Sequence, residues 1–303
     1  MKTIQKILIL LILMSLQLTA KNGFDLSNSI IDENKILSGG PAKDGIPSIN
    51  QPYFIDAKNV TYLKDDDIII GLDIQGVQKA YPTRILVWHE IVNDIIGTQN
   101  VAVTYCPLCG TAMVFDRYVD DTLRTFGVSG LLYQSDVLMY DRQTNSLWSQ
   151  LAMKSISGKS VNSELKWLPS QHLTWKAWKT KYPNSKVLSL DTGYNRNYTA
   201  SPYESYKNSD DVMFPVPKNR DDLEDKAWVI GVIIDGIAKA YDVNKLPNNK
   251  EVKDTIGKTD IIISNDKKTN HPSIKTKENK KIASVLVYWF AWQAFYPNTH
   301  IWK

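Results

Sequence analysis

The chain holds two cysteines, Cys106 and Cys109, three residues apart in Cys106-Pro107-Leu108-Cys109-Gly110. Thiols at that spacing serve one of three chemistries: a structural disulfide, a redox pair in which one thiol resolves the other's mixed disulfide, or two thiolates aimed at one metal ion. A disulfide across so short a loop stabilises by only about 2 kcal/mol through chain entropy. That is a weak staple for 303 residues. A tetrahedral metal site needs two more ligands, and no second Cys-x-x-Cys supplies them. His89, in Trp88-His89-Glu90, is the natural third member, as a ligand or as a proton acceptor. Glu90 or Asp136 suits a fourth or supporting position, and Arg117 a supporting one. Copper in its reduced state or zinc fits two thiolates and an imidazole. If the pair cycles instead, His89 lowers the attacking thiol's pKa.

The alternative is a non-catalytic exported binding module in which Cys106 and Cys109 are only a local brace. The two readings differ at His89. A ligand site requires it within bonding distance of both sulfurs, whereas a brace leaves it a core histidine hydrogen-bonded elsewhere. Other chemistry finds less support. Ser129 fails the Gly-x-Ser-x-Gly pattern and Ser135 has no base visibly beside it, so a hydrolase ranks last. Phosphate-cradling and dinucleotide fingerprints are missing. Asp116-Arg117 and Asp141-Arg142 read as ion pairs bracing turns. His172, His271 and His300 have no evident partners.

The elements that carry these residues repeat. Ile70-Gly71, Ile74, Gly76 and Lys79-Ala80-Tyr81 recur 160 residues later as Ile230-Gly231, Ile234, Gly236 and Lys239-Ala240-Tyr241. In that register 12 of the 36 positions from Ile70 to Tyr105 are identical. Trp175-x-x-Trp178 with Tyr182-Pro183-Asn184 recurs as Trp289-x-x-Trp292 with Tyr296-Pro297-Asn298. The second copy lacks the polar candidates: His89 aligns with Asn249, Glu90 with Lys250, Cys106 with Asp266 and Cys109 with Thr269. A working site in the first copy and a scaffold in the second would produce that pattern.

Each unit is expected to be strand–strand–helix–strand. Strands are predicted over 67–74 and 77–81, a helix through Ile85, Trp88, Val92, Ile95 and Ile96 ending at Gly97, and a strand over 101–105. The expected class is α+β: internally duplicated β-β-α-β units, the first enlarged by a β-rich insertion. The division is a signal peptide over 1–20, an N-terminal segment over 21–60, the first unit over 61–207, a linker over 208–226, and a degenerate second unit over 227–303.

Lys2, Lys6 and the apolar run from Ile7 to Leu18, ending at Ala20, have the pattern of a secretory signal. Export to the periplasm or outside follows, and no later stretch is apolar enough to span a bilayer. With 36 basic and 32 acidic residues, and 43% hydrophobic, the chain can bury a core and has no field that would draw nucleic acid.

The blocks Trp88-His89-Glu90-Ile91-Val92-Asn93-Asp94, Tyr105-Cys106-Pro107-Leu108-Cys109-Gly110 and Ser129-Gly130-Leu131-Leu132-Tyr133 resemble the uncharacterised prokaryotic family called domain of unknown function 3179. Ser135-Asp136, Leu147-Trp148-Ser149-Gln150 and Trp289-Phe290-Ala291-Trp292 extend the resemblance over most of the chain. It implies a family and an exported location, and no reaction.

Overall fold

A computed structural model describes residues 20–266 and 271–303. The expected signal peptide, all but its last position, lies outside the described residues. Among those described, no helix is long and apolar enough to cross a membrane.

The α+β expectation is overturned: the fold is mostly β. Its longest described helices are Trp175–Lys181 and Trp289–Phe295, seven residues each. The helix expected up to Gly97 stops at Leu86, and Ile91–Ile96 is a strand. Spacing at three and four had masked a β-branched run, Ile91-Val92 and Ile95-Ile96, which gains more on a pleated surface than in a helix. The strand pairs antiparallel with Gln99–Cys106, and Gly97 turns the hairpin at φ +60°.

The unit that recurs is therefore two hairpins and a short helix, not β-β-α-β. Ile68–Ile74 pairs with Val77–Pro82, placing Ile70 opposite Tyr81. Trp228–Ile234 pairs with Ile237–Asp242, placing Ile230 opposite Tyr241. Val92 lies opposite Val103 in the second hairpin of the first copy, and Val252 opposite Ile263 in the other. Both first hairpins turn on left-handed pairs, Gln75-Gly76 and Asp235-Gly236, as a two-residue turn matched to strand twist requires. Each Trp-x-x-Trp helix lays an indole on a strand glycine. A Cβ on Gly71 would come 2.1 Å from Trp178, and one on Gly231 2.2 Å from Trp292.

The insertion forms its own five-stranded sheet, in the order Lys154–Ser157, Leu147–Ser149, Asp136–Asp141, Phe126–Tyr133, with Ile36–Ser38 at the edge. Trp148, Phe126 and Met139 of this sheet, Cys106 and Cys109 of the first copy, and Trp289 and Trp292 of the second share one apolar core. Residues 208–226 carry no strand or helix, yet Val212, Phe214 and Val216 pack on that core.

Candidate metal centre

Cys106 is the last residue of its strand, and its pairing with Thr111 closes the ladder around residues 107–110. Gly110 leaves this loop at φ +67°, where a Cβ would come 2.3 Å from the Trp228 ring, so only glycine fits. The loop is pinned from outside. The Tyr206 hydroxyl donates to the Leu108 carbonyl at 2.9 Å, and the Tyr288 amide donates to the Cys109 carbonyl at 2.9 Å. Inside, the Thr111 hydroxyl donates to Gln150 at 2.8 Å, and the Gln150 amide donates to Thr104 at 2.7 Å.

The insertion sheet delivers the third group. Between the Phe126–Tyr133 and Asp136–Asp141 strands the chain turns on Gln134 and Ser135, at φ +51° and +64°. Neither is glycine, so the turn is held at a backbone cost. It aims the Ser135 carbonyl at both sulfurs, 3.0 Å from Cys109 Sγ and 3.8 Å from Cys106 Sγ. The two sulfurs, both in free cysteines, are 3.6 Å apart. One Asp136 oxygen accepts the Leu151 amide at 2.9 Å, while Oδ1 has no partner. Ligand atoms of Cys106, Cys109 and Asp136 all lie within 4.8 Å of one another. The three residues are 1%, 0% and 0% exposed.

The site is strongly desolvated. Burial lifts the Asp136 carboxyl to about 7, against the pull of the Leu151 and Val137 amides and of both thiols. Glu90 rises to about 8, through burial first and the Asp136 charge second. Burial also pushes the Cys109 thiol well up, reinforced by Cys106 and Asp136. Two thiols and two carboxyls thus share a dry region.

The expected site residues separate. Cys106, Cys109 and Asp136 come together; His89 does not join them. Its Nδ1 sits 2.7 Å from the Pro47 carbonyl and its Nε2 2.7 Å from the Tyr198 hydroxyl, so both nitrogens are engaged elsewhere. The cause is the shortened helix: the chain turns through Glu90 at φ +55° directly after His89. Arg117 also lies apart, donating to the Arg124 carbonyl and to Thr125. The Asp–Arg neighbours do not pair with each other; Asp141 meets Arg124 at 3.4 Å, and Arg142 meets Asp44 at 2.8 Å. Glu90 is buried in the wall of a cleft of about 60 Å³ beside Leu108, Val137 and Tyr203. Sequence reasoning missed the Ser135 carbonyl and the Gln150-Leu151 turn. Ser135-Asp136 between two β-rich runs was the available signal for the former.

The chain belongs to the family described as Protein of unknown function (DUF3179), whose model matches residues 43–286. No curated protein and no solved structure matches it.

Proposed function

We propose that this family member is an exported metal-binding protein that holds one zinc ion through Cys106, Cys109 and Asp136. The observation that carries the reading is the pair of free sulfurs 3.6 Å apart beside an unpartnered carboxylate oxygen. Two sulfurs at about 2.3 Å from a tetrahedral zinc stand about 3.8 Å from each other. The electrostatics point the same way. Burial holds Asp136 and Glu90 toward their neutral forms, and a divalent ion would favour ionised ligands there. A carboxylate among the donors favours zinc over reduced copper, which selects softer ligands. The Ser135 carbonyl is the nearest candidate for a fourth position. In an oxidising compartment, ligation would also protect thiols so close together. A redox pair has less support, because cysteines 1% and 0% exposed offer no line of attack to a partner's thiolate.

Native mass spectrometry of the full chain, recovered from its exported compartment without reductant, tests this. The expected result is a mass excess of one zinc ion, absent in Cys109→Ser. A two-proton deficit with no metal overturns the proposal, as do free thiols that take up no zinc on dialysis. A copper excess would retain the site and overturn the choice of metal.

A further inference from the structure

Glu90 is 5% exposed, and its carboxylate makes no hydrogen bond to any described residue. It lines the cleft whose walls include Val128, Leu132, Val137, Tyr203 and Phe214. Apart from the Tyr203 hydroxyl, no other ionisable side chain lines it. Met213, 52% exposed, stands at its rim. The acid is held there by backbone: the Glu90 amide donates to the Leu86 carbonyl and the Tyr105 amide to the Glu90 carbonyl, both at 2.7 Å. An apolar cleft with one unanswered polar group is the usual form of a small-ligand site.

We propose that this cleft binds a short alkylammonium group, its nitrogen on the Glu90 carboxylate and its chain along the apolar walls. A partner that donates hydrogen bonds and carries positive charge is the one that lets this buried acid ionise. A hard metal ion is a poor occupant, because a single carboxylate among apolar side chains supplies too few oxygens. Size sets the chain length. At about 10–15 Å³ per water-sized position, the cleft has room for about four to six heavy atoms. That is a propyl- to pentylammonium, supplied by a free amine or by the end of a lysine side chain. The inference stands on the cleft and not on the metal.

The test is calorimetric titration of the full chain with methyl- to butylammonium chloride, with n-butanol and an N-acetyl-lysine amide as further arms. Affinity is expected to rise about fourfold per methylene. Glu90→Gln should weaken butylammonium at least tenfold, and so should Met213→Trp, a rim substitution that leaves the core alone. Butanol should bind at least tenfold more weakly than butylammonium. Tighter binding of the lysine amide would identify a protein lysine as the source, and tighter binding of the free amine a small molecule. Cys109→Ser should retain amine binding, which separates this outcome from that of the zinc experiment. No binding at millimolar amine, or butanol binding as well as butylammonium, overturns the proposal and leaves a cleft that holds water.

Discussion

Asp136→Asn removes a charge while keeping the side chain's shape, and its effect should change sign with metal. In the unfolded chain this carboxyl titrates near 3.8, whereas burial raises it to about 7 in the fold. Below 3.8 the group is protonated in both states and costs nothing. Between 3.8 and 7 the unfolded chain ionises while the buried native carboxyl stays protonated, so stability falls as pH rises and the loss is complete above 7. The full separation corresponds to about 4 kcal/mol. Because Asp136 and Glu90 titrate as a coupled pair, the gain from the substitution falls at about 1–4 kcal/mol. Metal-free Asp136→Asn should therefore be more stable than wild type at pH 8 and no more stable at pH 4. Zinc reverses the order. At a hundredfold excess over its Kd, zinc stabilises a site by about 2.7 kcal/mol; a hundredfold loss of affinity leaves about 0.4 kcal/mol. Urea melts at pH 4 and pH 8, with chelator and with zinc, read all four values. Equal destabilisation at both pH values, with the zinc increment intact, would show Asp136 to be a structural hydrogen-bond acceptor and refute the reasoning.

Four further substitutions extend the test. His89→Ala should cost about 1–3 kcal/mol by stranding the Pro47 carbonyl, while the Tyr198 hydroxyl keeps Thr192, and zinc stoichiometry by elemental analysis stays at the wild-type value; loss of zinc from a folded variant would return His89 to the site. Gly71→Ala and Gly231→Ala should each destabilise by about 1–3 kcal/mol, because their Cβ atoms meet equivalent indoles; a thermal melt in which one is harmless would break that equivalence. His172, its Nε2 sealed and unpartnered, is held by burial near 4 against an ordinary 6.5. Stability tied to it is complete above 6.5 and lost as pH falls toward 4, about 2.5 kcal/mol by pH 4.5. His172→Gln should flatten that part of the acid limb in guanidinium melts, and an unchanged limb would count against it.

What the sequence made legible was the framework. Ile70-Gly71 and Gln75-Gly76 announce a strand and its two-residue turn, and the 160-residue register finds the same pairing twice. Lys79 bonds Asp94 at 2.8 Å while Lys239 bonds Asp254 at 2.6 Å. Tyr81 and Tyr241 each donate to the same aspartate of their own copy. The stretch from Arg84 to Gly97 was misread because its apolar positions satisfy both periods. Burial on both faces of Ile91–Asp94 removes the alternation that marks a half-exposed strand. That reading places His89 on a helix just before the cysteine strand. The approach of Asp136 to Cys109 joins residues 27 apart through a hairpin, and no local pattern encodes such a distance.

The placement of the cluster explains why only one copy carries it. Cys106 and Cys109 belong to the repeated framework, at the end of a hairpin whose counterpart is Glu251–Ile256 with Thr259–Asp266. Asp136 and the Ser135 carbonyl belong to the insertion, whose register brings the Gln134-Ser135 turn over the sulfurs. The Leu151 amide that holds Asp136 comes from the same insertion, and Gln150 beside it locks onto Thr104 and Thr111 of the framework. Two cysteines placed in the second copy would therefore meet neither carboxylate nor carbonyl. The second copy instead supplies a lid: Trp228 over Gly110 and Tyr288 on the Cys109 carbonyl close the side of the loop that the insertion leaves open. The insertion supplies the carboxylate and the carbonyl, and the second copy closes the remaining side of the loop.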